Sequence, residues 1–161
     1  MPSLVTERIE SVKAGIFGAG TFTVAELVFF VAQDLIQSLN GDIALDLLPE
    51  LKAETIALDW SWVISLAIGT VSGFLFGVTY RYVIRSDRNS HLNDGAVLAF
   101  GLVRGLALVE KNLALDLDFA LLDLSKLLSL GGLVLQSIVC FAIARLILDL
   151  AIARKLIKPF N

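Results

Sequence analysis

The sequence predicts an all-α membrane protein with four transmembrane helices. Hydrophobic residues make up 57% of the 161 residues and the mean hydropathy is +0.80, far above the values of soluble domains. The charged residues, 18% of the chain, are concentrated between apolar stretches of about 18 to 20 residues, the length that a helix needs to cross a bilayer. We therefore expect one polytopic membrane domain over residues 1–161.

The first predicted helix covers about residues 15–36 and carries Glu26 near its centre. A secretory signal peptide also has an apolar stretch behind basic residues. In this chain, however, acidic and basic residues alternate over positions 6–13, and no small-residue cleavage site precedes a polar segment. We interpret this stretch as a permanent transmembrane helix.

The second predicted helix, about residues 61–84, has the clearest pattern. Its first 20 residues contain no charge. Aromatic side chains flank this run, as in an interfacial belt: Trp60 and Trp62 at one end, Tyr80 and Tyr82 at the other.

The third predicted helix, about residues 92–114, is short in apolar sequence. Its charge-free part, residues 95–109, would be about 22 Å long, against a hydrocarbon core of about 30 Å. Extension to 92–114 places Asp94 and Glu110 near the interfaces and keeps Arg104 inside the membrane. A continuous helix and a re-entrant one both remain open.

The fourth predicted helix, about residues 130–153, uses the charge-free run 127–144 and continues through Arg145 and Asp149. Beyond it, basic residues and Pro159 end the span. Eight of the 13 lysines and arginines lie at the N-terminus, between positions 81 and 88, or at the C-terminus. Four helices with both termini on the cytoplasmic or stromal side satisfy this bias.

The two outer loops, residues 38–59 and 112–126, share the sequence Ala-Leu-Asp-Leu at 44–47 and 114–117. Either a duplicated helical hairpin or chance similarity explains the repeat. We predict amphipathic helical segments in both loops, because leucines recur at helical spacing in the second one. Alternation over 113–119 would also fit a short strand, but open strand edges near lipid are costly.

Glycines recur at four-residue spacing in two of the helices, which leaves helix faces without side chains and lets another backbone approach closely. These helix-packing candidates are Gly69, Gly73 and Gly77 in the second helix, and Gly101 and Gly105 in the third. The packing partner could be internal, a second copy or another protein.

Four charged residues form a predicted intramembrane cluster: Glu26, Arg104, Arg145 and Asp149. Counted from the cytoplasmic ends of their helices, Glu26, Arg104 and Arg145 share a depth of about 12 to 15 Å. A charge at this depth needs a partner or water. We predict that Glu26 pairs with Arg104 and that Arg145 pairs with Asp149, one helical turn away. A proton or ion path through Glu26 is the alternative to a structural ion pair.

His91, in the hydrophilic turn before the third helix, is the candidate cofactor-binding residue. It could ligate a chlorophyll magnesium or a metal ion, although loop histidines are usually only solvated; carotenoid and lipid are further candidate cofactors. One Cys and one His exclude an intrachain disulfide and a Cys/His zinc cluster. We find no P-loop, GxSxG or HExxH pattern, and a net charge of −3 gives no nucleic-acid footprint.

The segment at residues 80–107, YRYVIRSDRNSHLNDGAVLAFGLVRGLA, resembles a family of small uncharacterised membrane proteins of cyanobacteria and chloroplasts. This resemblance implies a thylakoid or cyanobacterial plasma membrane and an accessory role around photosynthetic complexes. It transfers no catalytic residue.

We therefore expect a non-enzymatic accessory or assembly protein that docks onto another membrane complex through glycine-lined helix faces. The expected partners are the lipid bilayer and other membrane subunits or a second copy, with no nucleic acid. The alternative is a small oligomeric transporter or channel that uses Glu26 as its coupling carboxylate.

Overall fold

The computed structural model describes residues 4–45, 60–84, 90–115 and 124–158, which are helical almost throughout and contain no strand. The helices are α1 (Leu4–Leu45), α2 (Trp60–Val83), α3 (Ser90–Leu115) and α4 (Leu124–Ala153). All four are long and apolar enough to cross a membrane. The predicted all-α membrane fold with four transmembrane helices is confirmed.

The helix ends differ most from prediction in α1, which was expected to cover only residues 15–36. Its 42 residues make a rod of about 63 Å, so it extends well beyond a hydrocarbon core of about 30 Å. The charges over positions 6–13 precede the apolar stretch, but charged residues such as Glu, Lys and Arg are good helix formers and do not end a helix. For the same reason α4 starts at Leu124, before the predicted 130.

The third helix is continuous, since α3 has 26 residues and a length of about 39 Å. This result settles the choice between a continuous and a re-entrant span. Residues 38–45 and 112–115 of the two outer loops continue α1 and α3 as helix, so the strand alternative fails at positions 113–115. The rest of the predicted amphipathic segments, at 46–59 and 116–123, lies outside the described residues.

The helices form an antiparallel bundle in which α1 packs most closely on α2, and α3 on α4. Of the four neighbouring pairs around the bundle, α2 and α3 pack most loosely. Aromatic rings fill the centre, where Phe141 lies 4.5 Å from Phe22 and 5.1 Å from Phe76, measured between ring centroids. All three of these side chains are buried. The large rings hold three of the four helices together at one level.

The glycine row of α2 faces α1 inside the bundle. A Cβ atom added at Gly73 would lie 2.6 Å from the Cβ of Phe22 and 2.8 Å from the carbonyl oxygen of Gly18. One added at Gly77 would lie 3.1 Å from the Cα of Gly15. Any side chain at these positions would push the two backbones apart, so the row is a structural requirement of the α1–α2 contact.

The glycines of α3 pack closely against the backbone of α4 in the same way. An added Cβ would lie 2.8 Å from the Cα of Ile138 at Gly101, and 2.7 Å from the Cα of Val134 at Gly105. The packing partner that the sequence left open is therefore internal for both glycine rows.

After α4 the chain folds back onto the bundle. Lys155 has φ 58°, and its N–H donates to the carbonyl of Ile152, while the N–H of Leu156 donates to that of Ala151. This pair of bonds is a Schellman cap, which reverses the chain direction. Ile157 is consequently buried in the core, next to the ends of the other helices.

Candidate functional site

An ion pair between Glu26 of α1 and Arg104 of α3 lies within the membrane-spanning part of the bundle. The guanidinium group of Arg104 donates from Nη2 to Oε1 of Glu26, and also to the backbone oxygen of Ser65 on α2, at 3.3 Å. Arg104 is 7% exposed. One nitrogen atom thus links three helices, as the depth argument predicted for the two charged residues.

Gly69 provides the room for this ion pair. A Cβ atom at Gly69 would lie 2.7 Å from Nη2 of Arg104 and 3.0 Å from the ring of Phe22. The same ring lies under the guanidinium group, with its centroid 5.0 Å from Cζ of Arg104, in a cation–π contact. Gly69, predicted only as a packing residue, therefore also shapes the charged site.

The ion pair leaves hydrogen-bonding capacity unused on both sides. Oε2 of Glu26 is buried and accepts no hydrogen bond from the described part of the chain. Both hydrogen bonds of Arg104 in this part of the chain come from Nη2, so Nε and Nη1 donate none. Polar groups at membrane depth that lack partners cost free energy, and they are typical of binding sites and ion paths.

A groove runs beside Arg104 between α2 and α3. We call this the α2–α3 groove; it is lined from residues 64–75 of α2 and 100–111 of α3 and has a volume of about 550 Å³. Its wall is mostly apolar. The polar residues that line it are Ser65, Ser72, Arg104 and Lys111.

The second predicted pair also forms, but in another place. Arg145 binds Asp94 of α3, and its Nε lies 3.6 Å from Oδ2 of Asp149, whose Oδ1 accepts a hydrogen bond of 2.8 Å from the hydroxyl of Tyr80. Asp94 precedes Arg104 by ten residues, or about 15 Å along α3. The four residues that were predicted to form one cluster therefore form two separate sites. Their depths were counted from the cytoplasmic ends of their helices, and these ends do not lie at one level.

Sequence reasoning missed a second buried arginine, Arg81, at the end of α2. It is 1% exposed and forms an ion pair with Glu7. Its Nε donates to the backbone oxygen of Lys158 at 2.8 Å, and its Nη1 donates to Ser11 Oγ at 2.6 Å and to the backbone oxygen of Glu7 at 3.0 Å. One side chain therefore ties the start of α1 and the folded-back C-terminal segment to α2.

Neighbouring groups extend this arrangement, which we call the Arg81 network. Glu10 accepts a hydrogen bond of 3.1 Å from the backbone N–H of Lys158 and forms an ion pair of 2.8 Å with Lys13. Ser11 Oγ lies 3.2 Å from the hydroxyl of Tyr82. The sequence presented Arg81 only as one of the basic residues that set orientation. Glu7 and Glu10, two acidic residues near the N-terminus, are the sequence signal that could have revealed the network, because such residues need basic partners.

His91 lies in the first turn of α3 and is exposed. Asp94, three residues further along α3, is bound to Arg145. Within the described ranges, no group of three or more His, Cys, Asp or Glu side chains could hold a metal ion. Cofactor binding at His91 stays a prediction.

No family model, no curated protein and no solved structure matches this chain. Its function is therefore inferred from the geometry of its own residues.

Proposed function

We propose that the chain is a non-enzymatic accessory or assembly protein that docks onto another membrane protein. Both predicted glycine rows pack inside the bundle, so docking uses a different surface. The observation that carries the proposal is a pair of exposed amides on α1 and α4, where Nε2 of Gln33 donates to Oε1 of Gln136 at 3.0 Å.

Gln136 lies in the middle of the charge-free run at residues 127–144, about 13 Å from either end of it. Each amide has two N–H donors and a carbonyl acceptor, and the bond between Gln33 and Gln136 uses one donor and one acceptor of these six groups. Lipid chains offer no hydrogen bonds. A transmembrane helix of another protein that presents polar groups would satisfy the rest.

The surroundings of the amide pair suit a close helix contact. A Cβ atom at Gly132 would meet none of the described residues within 4 Å, and the groove that holds both amides also contains Ser129. Small residues of this kind let a second backbone approach. We call this surface, made by Gln33, Ser129, Gly132 and Gln136, the amide face.

Affinity purification in mild detergent tests the amide face. Gly132→Leu should abolish co-purification of a stoichiometric partner, because the new side chain would occupy the approach path. Gly95→Leu is the matched control, since a Cβ atom at Gly95 also meets nothing within 4 Å but lies on α3. A wild-type protein that purifies without a partner, or equal partner recovery from both variants, would contradict the proposal.

The membrane we propose is a thylakoid or cyanobacterial plasma membrane, with a photosynthetic complex as the partner, because residues 80–107 resemble proteins of that setting. Both chain ends are proposed to face the cytoplasm or stroma. The contact between Glu10 and Lys158 supports one shared side for them, and the lysine and arginine bias indicates which side it is. Cysteine labelling should place position 52 opposite position 88; labelling from the same side would contradict this topology.

A transporter or channel is the second candidate, favoured by the free oxygen Oε2 of Glu26. A coupling carboxylate needs an oxygen that can take up a proton or cation during transport. If this function holds, proteoliposomes should show a proton-coupled flux that Glu26→Gln removes. A stoichiometric larger complex without any flux would favour docking instead.

A further inference from the structure

The α2–α3 groove is long and narrow. Its lining residues span about 16 Å along each helix, so its volume of about 550 Å³ gives a mean cross-section of about 33 Å². The wall is apolar over most of this length, so the groove has room for a flexible hydrocarbon chain.

Arg104 is one of the four polar residues in the wall of this groove, with Ser65, Ser72 and Lys111. It is 7% exposed, and the guanidinium nitrogens Nε and Nη1 donate no hydrogen bond within the described residues. A ligand in the groove can therefore accept a hydrogen bond from one of these two nitrogens. The acceptor has to be an oxygen atom on an otherwise apolar molecule.

The charge balance favours an uncharged acceptor. Glu26 already neutralises Arg104, and the other cation of the wall, Lys111, lies seven residues or about 10 Å further along α3. A carboxylate or phosphate bound on Arg104 would therefore leave a net negative charge at membrane depth. Such an uncompensated charge costs several kcal/mol in a buried site. A carbonyl oxygen adds no charge and still accepts from Nε and Nη1.

The depth of Arg104 in the membrane further restricts the class of ligand. Arg104 lies about 21 Å from the start of α3 and about 16 Å from its end. The ester carbonyls of a bilayer lipid lie in the interfacial region, outside the hydrocarbon core. A carbonyl at the level of Arg104 is therefore not the ester carbonyl of a bilayer lipid at its usual depth.

From these four properties we propose that the α2–α3 groove binds a prenylated quinone, with a ring carbonyl on Arg104 and the isoprenoid chain along the groove. A quinone head is neutral, flat and rich in carbonyl acceptors, and its tail is a single apolar chain. This site is independent of the amide face, because α2–α3 and α1–α4 are opposite sides of the bundle.

Titration of the purified protein in lipid nanodiscs with a decyl-benzoquinone tests the site. Quinones quench tryptophan fluorescence, and Trp62 lies two residues before the groove residue Ile64. Ala107→Phe fills the groove and should weaken binding about tenfold or more, the effect of losing about 1.4 kcal/mol. Ala99→Phe is the matched control on the same helix, exposed but outside the groove, and should bind like wild type.

Two further measurements test the head group. Arg104→Lys keeps a cation for Glu26 but loses Nε and Nη1, and should weaken quinone binding about tenfold, the loss expected for one charge-assisted hydrogen bond. Decylbenzene, which has the chain but no carbonyl, should bind wild-type protein about tenfold more weakly than the quinone. This second comparison needs no variant, so it stands even if Arg104→Lys fails to fold.

Three results would overturn the proposal. Equal affinity for decylbenzene and the quinone would show that Arg104 does not recognise a carbonyl. Tighter binding of decanoic acid than of the quinone would assign the groove to an anionic lipid. Unchanged quenching in Ala107→Phe would show that the quinone binds elsewhere.

Discussion

The two buried arginines of this bundle, Arg81 and Arg104, have nearly the same exposure but different surroundings. Arg81, at the end of α2, donates to two backbone oxygens and a hydroxyl and binds the carboxylate of Glu7. Arg104, within the membrane span, uses one nitrogen for its two hydrogen bonds to the described residues and borders a groove.

This difference indicates a structural role for Arg81 and a ligand-binding role for Arg104. A buried network whose members are satisfied fixes one arrangement of the chain, and loss of a member leaves several groups unpaired at once. A buried arginine with spare donors contributes less to a unique structure and retains capacity for a ligand. We therefore expect Arg81 substitutions to act mainly on stability and Arg104 substitutions to act also on binding.

The largest effect should come from Arg81→Met. The substitution leaves Glu7 and the backbone oxygen of Lys158 without their donor, so we expect a loss of about 3–5 kcal/mol in the free energy of unfolding. Thermal unfolding in detergent measures it. Arg154→Met, at an exposed position just beyond α4, is the control and should change little. Equal stability of the two variants would show that the Arg81 network is not a stabilising element.

The next effect concerns the α1–α2 contact that brings Glu26 beneath Arg104. Gly73→Leu forces a side chain into the backbone of Gly18 and should cost about 1–3 kcal/mol or more. Gly20→Leu, at a site where a Cβ atom meets nothing within 4 Å, should be tolerated. Normal accumulation and folding of Gly73→Leu would mean that the glycine row does not face α1.

A smaller effect is expected from the Glu26–Arg104 pair. Glu26→Gln and Arg104→Gln should each lower the free energy of unfolding, and the double variant should recover part of the loss. The coupling energy from this double-mutant cycle should be about 0.5–3 kcal/mol. Strictly additive losses would indicate that the two charges do not stabilise each other in the folded protein.

The smallest expected effect is an increase in the free energy of unfolding. Lys155 adopts a left-handed conformation that favours glycine, so Lys155→Gly should stabilise the protein by about 0.5–1 kcal/mol. The cap that it forms presents the backbone oxygen of Lys158 to Arg81. Leu156→Gly, one residue later, lacks this benefit and serves as the control. A destabilised Lys155→Gly variant would show that the turn depends on the lysine side chain.

Much of the fold could be predicted because bilayer thickness and charge placement constrain a helix strongly. The pairing of Glu26 with Arg104 followed from the cost of a lone charge at depth. The prediction that Arg145 lies at the same depth as Arg104 was wrong, because the start of α3 and the end of α4, which lie on the same side, are not at one level. The sequence carries no signal for the relative heights of neighbouring helices.

The Arg81 network and the α2–α3 groove could not be predicted for a different reason. The Arg81 network depends on residues that are far apart in sequence, such as Glu7 and Lys158, and the groove depends on a loose contact between two consecutive helices. Hydropathy and charge counts treat Arg81 as a solvated residue at a helix end. The start of α1 and the folded-back C-terminal segment, with its cap at Lys155, together bring it out of water.

The contrast between the two arginines is tested most directly by NMR of protein that carries ¹⁵N-labelled arginine, titrated with decyl-benzoquinone in nanodiscs. Spectra of Arg104→Lys and Arg81→Lys assign the two side-chain Nε–H signals. We predict that the signal of Arg104 shifts in a saturable manner as quinone binds, while that of Arg81 stays in place. A shift of the Arg81 signal, or none at Arg104 at saturating quinone, would contradict the assignment of binding to Arg104 and of structure to Arg81.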